Sequence, residues 1–217
     1  NNTSNKIIFG KNYSYKKSAY GFIFKDDMGK INLPLPNLTG DFQISNVSTA
    51  IVVARNLNQF KITDSHIKKS ITKIRSEGRL QKITEGKLRD YVSENNQILI
   101  DGAHNALAAS VIEKYLGTLN SGKKIIMLLG MMKNKEHREF IQIFKNRVQS
   151  IITLDIPNQI NFIDKFKLSR IAESCGIPSK AENSIEIALK NAAKENSDAI
   201  IFCTGSLYFA GEILNLN

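Results

Sequence analysis

The chain is short of several things that would narrow its chemistry, and each shortage closes a class of function. Only two cysteines occur among 217 residues, Cys175 and Cys203. They are far apart and neither sits in a CxxC pair, so neither a zinc site nor a disulfide framework is indicated; a reduced, cytoplasmic setting is expected. Three histidines, His66, His104 and His137, are too dispersed for a metal cluster, so no metal ligands are expected in this chain. No apolar run approaches the roughly 18 to 20 residues that a membrane span needs, and no membrane association is expected. No G-x-x-x-x-G-K-S/T occurs, and "SGKKI" at 121–125 leads into a strand where a phosphate loop should lead out of one. A dinucleotide G-x-G-x-x-G is missing too, which disfavours a self-sufficient dinucleotide site. The opening "NNTSNKIIFG" has no starting Met, secretory leader or transit-type segment, and reads as a break in something longer.

Acidic residues are also scarce. Twenty Asp and Glu against thirty Lys and Arg leave a net charge of +10, enough to raise the question of nucleic acid. The basic residues are dispersed, with only short runs such as "HIKKS" and "SGKKI", and no aromatics are interleaved as stacking platforms. Nucleic acid is therefore not an expected partner. An apolar fraction of 42% and scattered turn residues mark a globular chain long enough to bury a real core.

Two unlike parts follow one another. Residues 6–36 hold three strand-like runs, "KIIFG", "YGFIFKDD" and "KINLPLP", which read as antiparallel hairpin material. A helix is expected from about Ser45 to Phe60, because Val47, Ile51, Ala54 and Leu57 recur at spacings of three and four. A second helix should start with Asp64 as N-cap and run to about Arg75. The turn at Gly78 in "SEGRLQKI" marks the expected boundary, giving domains 1–77 and 78–217. Beyond it, "QILID", "KIIMLLG", "SIITLD" and "AIIFCTG" alternate with helical stretches near 105–118, 135–148, 164–175, 184–195 and 206–215. That alternation predicts an α/β fold, a Rossmann-like and mostly parallel sheet flanked by helices. In such sheets ligands bind outside the carboxyl ends of the strands, so the loops to examine begin at Asp101, Gly130, Asp155 and Thr204.

Three of these loops carry unusual chemistry. In "DGAHN" Asp101 ends a strand, Gly102 and Ala103 allow close backbone approach, His104 projects, and Asn105 can cap the next helix. "LLGMMKNKEH" puts a glycine and two lysines, Lys133 and Lys135, where a phosphate could meet N–H groups and cations. "FCTGSLYFAGE" places Thr204, Gly205 and Ser206 at the start of the last helix. Each has a plainer reading: Asn105 and Ser206 as caps, the lysines as solvated surface, His137 as a helix-face residue. A Ser206, His104 and Asp101 triad can be assembled on paper, but no G-x-S-x-G elbow exists and Asp101 and His104 share one loop.

Taken in order, "LPLPNLTGDFQISNVSTAI", "SEGRLQKI", "DGAHN", "LLGMMKNKE" and "TGSLYFAGEIL" resemble the carboxyl-terminal half of the folylpolyglutamate synthase/dihydrofolate synthase family, relatives of the Mur ligases. The resemblance runs over essentially the whole chain. It implies an ATP-dependent amide ligase that joins L-glutamate to a folate or dihydropteroate carboxylate through an acyl phosphate, with ATP and Mg2+ as cofactors. It also implies that residues 1–77 are the tail of the central ATP-binding domain and 78–217 the Rossmann-like glutamate-ligase domain. In that family the phosphate loop and magnesium ligands belong to the central domain, so the chain is expected to be either a fragment or a split-gene product whose partner is a separate amino-terminal half.

Carried over residue by residue, the resemblance implies that Asn46 meets the adenine, Arg79 the ATP phosphates, and Asp101 the nucleotide. It puts His104 and Ser206 at the glutamate and acyl-phosphate end as catalytic residues, with Lys135 as a phosphate or glutamate contact. Departures occur: the family's proline after D-G-A-H-N is Ala106, and the acid before its lysine is Asn134. The segment "TEGKLRDYVSENNQ" is longer than the family pattern and reads as an extended hairpin loop. Three accounts are distinguished by these residues: the carboxyl-terminal part of such a ligase, a stand-alone or degenerate Rossmann-like nucleotide-binding domain without ligase activity, and a basic nucleic-acid binder.

Overall fold

A computed structural model describes residues 6–119 and 122–217. The first five residues of the "NNTSN" start and Ser121 of "SGKKI" lie outside them. The chain divides into two compact units, one ending at Ser76 and the other running Glu77–Asn217.

In the first unit three strands, β1 (Ser14–Ser18), β2 (Gly21–Asp26) and β3 (Gly29–Pro34), form an antiparallel meander. Alternation decides its faces: Phe22 and Phe24 on β2 and Ile31 and Leu33 on β3 are buried, while Ile23 between the phenylalanines is exposed. Two helices, α1 (Phe42–Arg55) and α2 (Asp64–Ile71), cover the apolar face with Ile44, Val47, Ile51, Ile67 and Ile71.

Three elements differ in their bounds from the sequence expectation. "KIIFG" is not a strand; after a bridge between Phe9 and Tyr13 the pairing starts at Ser14, because Gly10 turns the chain with a φ of 82°. The first helix starts and ends earlier than Ser45–Phe60: Asn56 closes it by donating its side-chain amide to the Val52 carbonyl, and Phe60 is exposed. Thr63, not Asp64, caps the second helix, through a reciprocal box in which its hydroxyl accepts from the His66 amide and its own amide donates to His66 Nδ1. That helix stops at Ile71, short of Arg75.

The second unit is built on six strands in the order β4-β5-β9-β6-β7-β8, where β4 is Gln81–Ile83, β5 Gln97–Ile100, β6 Ile125–Leu129, β7 Ser150–Thr153, β8 Ser179–Ala181 and β9 Ile200–Thr204. All neighbours run parallel except β4 against β5. The expected mostly parallel sheet is thus present. The two short strands at its edges, β4 and β8, were not anticipated, since "QKI" and "SKA" lack the apolar runs of the central strands. The long 84–96 connection between β4 and β5 contains one turn of 3-10 helix, Lys87–Tyr91, whose Leu88 is fully buried.

Five helices connect the parallel strands or follow the last: α3 (Ala106–Thr118), α4 (His137–Ile143), α5 (Lys165–Ser174), α6 (Ile185–Glu195) and α7 (Leu207–Asn215). Helix α4 is shorter than the expected 135–148, because the chain turns at Phe144, whose carbonyl accepts from the Arg147 amide at 2.8 Å. Side-chain alternation in the strands sorts the helices onto two faces. Ile98, Ile100, Ile126, Leu128, Ile201 and Cys203 pack against α6 and α7. Phe202, between the last two, points the other way and stacks on Phe144 beyond α4, at 6.1 Å between ring centroids. Burial of Cys203 in the apolar layer pushes its thiol pKa up to about 12, so it behaves as a small hydrophobe there.

Candidate active site

β9 lies between β5 and β6. The helix that follows it, α7, packs on one face, whereas α3 and α4, which follow its two neighbours, pack together on the other. Divergence of this kind opens a crevice outside the carboxyl ends of the strands. Three loops meet there: 101–105 after β5, 130–136 after β6 and 205–206 after β9.

Backbone hydrogen bonds lace these loops together. The Ala103 carbonyl accepts from the Gly205 amide at 3.0 Å and from the Thr204 hydroxyl at 3.4 Å, and the Thr204 carbonyl accepts from the Gly130 amide at 3.2 Å. Gly205 makes the lacing possible, with a φ of 110° and a position where a Cβ would lie 2.6 Å from the Gly130 carbonyl oxygen. A Cβ on Gly102 would lie 2.2 Å from Leu207 Cδ2, so the 101–105 loop and the start of α7 are equally close.

Within this frame Asp101 is 3% exposed and both of its carboxylate oxygens accept backbone N–H groups, Oδ1 from Ala103 at 2.7 Å and Oδ2 from Leu80 at 2.9 Å. Burial raises its pKa above the ordinary value; the two amides and the nearby charges of Arg79 and His104 oppose that shift without cancelling it. His104 is half-buried, with Nδ1 3.0 Å from the Gly102 carbonyl oxygen. A carbonyl can only accept, so this contact assigns the proton to Nδ1 and leaves the lone pair of a neutral ring at Nε2. Ser206 is buried and caps α7 by accepting from the Tyr208 amide at 3.1 Å, and its hydroxyl retains a proton to donate. Asn105 caps α3 in the same manner, accepting from the Ala108 amide at 2.9 Å.

Arg79, Asp101, His104 and Ser206 are therefore gathered at one edge of the sheet. Lys135 is set apart: with Lys133, His137, Phe162, Asp164 and Lys167 it lines a cavity of about 410 Å³ between the loops after β6 and β7, and none of the other four residues lines that cavity. His137 spans its own loop through Nε2, 2.9 Å from the Met132 carbonyl. Asn46 lies on α1 of the first unit, exposed, with its amide nitrogen donating to Gln43 Oε1 at 3.0 Å.

The residues that sequence reasoning missed are in the 78–81 turn. Gly78 accepts the Gly102 amide at 2.8 Å, and its own amide donates to the Gln81 side chain at 3.0 Å. Leu80 has a φ of 47° and a fully buried side chain. Gly78 signalled a turn in the sequence; nothing signalled a left-handed leucine. Among the described residues no group of three or more His, Cys, Asp or Glu side chains is placed to hold a metal ion, and no helix is long and apolar enough to cross a membrane.

Fold and loop geometry together define a Rossmann-like α/β domain whose laced loops lie at the carboxyl ends of β5, β9 and β6. Residues 84–216 match the family model described as the dihydrofolate synthetase C-terminal domain, and the chain belongs to that family. It is similar to the dihydrofolate synthase/folylpolyglutamate synthase of Buchnera aphidicola subsp. Acyrthosiphon pisum, 28% identical over 204 residues that cover 93% of this chain and 45% of that protein. Against the folylpolyglutamate synthase of Lacticaseibacillus casei, identity is 24% over 216 residues, 95% of this chain and 47% of that one. Among solved structures, E. coli FolC in complex with ADP superposes with a TM-score of 0.75 at 20% identity, over 95% of this chain and 46% of that one. Mycobacterium tuberculosis folylpolyglutamate synthase complexed with ADP and AMPPCP gives 0.74 at 18%, over 96% and 48%. These structural likenesses show the fold alone, a mostly parallel sheet between helices. The chain spans a little under half the length of the relatives it matches.

Proposed function

We propose that this chain is the carboxyl-terminal portion of an ATP-dependent ligase that adds L-glutamate to a folate or dihydropteroate carboxylate. The observation that carries the reading is the lacing of the 101–105, 130 and 205–206 segments into one surface, because these are the motif-bearing loops of the family the chain belongs to. In support, relatives of this fold are described in complex with ADP, with DHPP and ADP, and with AMPPNP and a manganese ion. ATP and the two organic substrates are the small-molecule partners in this reading, and the compartment is the cytoplasm. Residues up to Ser76 are the tail of a central ATP-binding domain and residues from Glu77 onward the ligase domain. In this reading the phosphate loop belongs to the amino-terminal half of such an enzyme.

The reaction has two steps. A carboxylate oxygen of the folate attacks the γ-phosphorus of ATP, which releases ADP and leaves an acyl phosphate. The amine of glutamate then attacks the acyl carbon, the carbon–oxygen bond to phosphate breaks, and a proton leaves the nitrogen. Arg79 supplies a planar cation for the phosphates and Asn46 a paired donor and acceptor for the adenine edge. His104 suits the second step: with Nδ1–H committed to the Gly102 carbonyl, Nε2 is the atom that takes the amine's proton. Ser206 offers its hydroxyl proton to the acyl phosphate, Asp101 holds the nucleotide edge, and Lys135 receives a carboxylate or phosphate from the neighbouring cavity. A magnesium ion is the family's expected partner for ATP; among the described residues no group of three or more His, Cys, Asp or Glu side chains is placed to hold it.

The deciding experiment mixes this chain with a polypeptide matching the amino-terminal half of its relatives and measures ADP release that depends on both glutamate and a folate. Activity is expected only in the mixture. His104→Ala should lower that rate by about a hundredfold or more with the melting temperature nearly unchanged, since a half-buried turn residue packs little. A well-folded mixture with no such activity favours the other reading, a Rossmann-like nucleotide-binding domain without ligase chemistry. A variant that unfolds, or keeps its full rate, makes His104 structural.

A further inference from the structure

We propose that the Asp101 carboxylate is the latch of the 78–81 turn and, through it, the positioning residue for Arg79. Two of the three residues around Arg79 are held in a conformation that L side chains rarely adopt: Gly78 has a φ of 63° and Leu80 a φ of 47°. For glycine this is free, but for a leucine it is strained, and Leu80 is one of two non-glycine residues with positive φ among those described. Such a conformation persists only where the surroundings over-determine it. Beside the Gln81 side chain, which accepts the Gly78 amide at 3.0 Å, two determinants come from the loop after β5. Asp101 Oδ2 accepts the Leu80 amide at 2.9 Å, and the Gly102 amide donates to the Gly78 carbonyl at 2.8 Å, so the turn is held on both sides of Arg79.

The same carboxylate uses Oδ1 to accept the Ala103 amide at 2.7 Å, which fixes it to its own loop and makes it a rigid strut between that loop and the turn. Pairing of Gln81 with Ile100 then carries the chain directly from the turn into β4. Arg79 is thus suspended between two pinned residues, and the direction of its side chain follows from the strut. The Arg79 guanidinium and the His104 imidazole are the ionisable groups that face the latch. The acid therefore serves the turn first; any contact it makes with a nucleotide comes in addition. The consequence for catalysis rests on the reading of Arg79 as a phosphate contact. The latch itself is measured without nucleotide, so it stands or falls independently of ligase activity.

The test compares the 217-residue chain with its Asp101→Asn, Asp101→Ala and Arg79→Ala variants by amide hydrogen exchange, limited trypsin digestion and a nitroxide attached to Arg79→Cys. Asparagine keeps the shape but only one acceptor oxygen, and presents an N–H pair to the second amide. With Asp101→Asn the Leu80 amide should lose about tenfold or more of its protection while Leu128 in β6 keeps its own. Cleavage after Arg79 should rise by a similar factor relative to cleavage after exposed Arg75, and the nitroxide should move faster. Arg79→Ala should leave Leu80 protected. Should Asp101→Ala not fold, Asp101→Asn alone carries the test, since it preserves volume. The proposal is overturned if Leu80 stays protected without the carboxylate, if Leu128 loses protection in step with it, or if Arg79→Ala opens the turn equally, which would make an ion pair the holding force.

Discussion

The two ends of the parallel sheet are built from the same strands and solve opposite problems. At the carboxyl end, backbone meets backbone: glycines stand where any side chain would collide, carbonyls are shared between loops, and the polar groups of Asp101, Thr204 and Ser206 are nearly or wholly buried. Apolar side chains, by contrast, face outward at that rim, with Leu107 79%, Ile160 92% and Tyr208 57% exposed. At the amino end a cavity of about 530 Å³ is lined by Lys123, Lys124, Lys145 and Arg147. Surface ion pairs tie its walls, Arg147 to Glu113 and Lys123 to Asp198. One end fixes the backbone and leaves hydrophobic surface uncovered; the other is charged and forgiving. Binding energy and catalytic geometry belong where the backbone is fixed.

The sharpest way to break this comparison is to place a methyl group where the carboxyl end is tightest. Gly205→Ala sets a Cβ 2.6 Å from the Gly130 carbonyl oxygen and forces an alanine to a φ of 110°. Neither can relax without unlacing the loops, and we expect a loss of roughly 3 kcal/mol, about 10 °C in melting temperature. A shift under about 2 °C would show that the lacing is soft. Gly102→Ala meets chiefly the Leu207 side chain, 45% exposed and able to swing, with the Leu207 Cα at 3.1 Å needing to give only slightly. Here about 1 kcal/mol is expected, the same chemistry at the same end but against a more movable wall. Equal losses in the two variants would erase the distinction.

How much of this the sequence disclosed depends on the kind of interaction. Continuous apolar runs in β5, β6, β7 and β9 made the buried parallel strands visible, and the caps Asn105 and Ser206 were readable from residue type alone. Edge strands β4 and β8 were not, because each is three residues long with a single apolar residue, Ile83 or Ala181, and pairs through backbone atoms that carry no sequence signal. The site divides along the same line. Asp101, His104 and Ser206 were candidates from the chemistry of their side chains and the order of their motifs, and the fold brings them to one end of the sheet. The turn at Leu80 was invisible, since its conformation is imposed by a carboxylate twenty-one residues further on. Asp64, taken for a cap, lost that role to Thr63 because the reciprocal partner is His66, a residue outside the usual Glu or Gln pattern.

At the amino end the expected effects are smaller. Arg147 reaches Glu113 Oε1 through both Nε, at 2.9 Å, and Nη2, at 2.7 Å, yet the two side chains are 36% and 26% exposed. Arg147→Met should cost no more than about 1 kcal/mol by chemical denaturation, with less loss at high salt. A cost above about 3 kcal/mol would place a rigid, buried network where the comparison has a solvated one.

The last test concerns a sign. Asp101 has a folded-state pKa raised by burial above its ordinary value of 3.8, so the folded chain holds that proton more firmly than the unfolded chain does. The stability this contributes is fully present below the ordinary pKa and is lost as pH rises through the raised one. Wild type should therefore lose ground against Asp101→Asn between about pH 4 and neutrality, when melting temperatures of the two are compared at each pH. If wild type gains on the asparagine variant over that interval, the two amides, Arg79 and His104 outweigh burial, and the carboxylate is a stabilising ion like any at the amino end. The expected sign means something else: an ionised acid is kept in a buried place against the stability of the fold, where asparagine could not accept both amides. A cost of that kind is retained at the end of the sheet that holds a turn and an arginine in place, and it has no counterpart at the other.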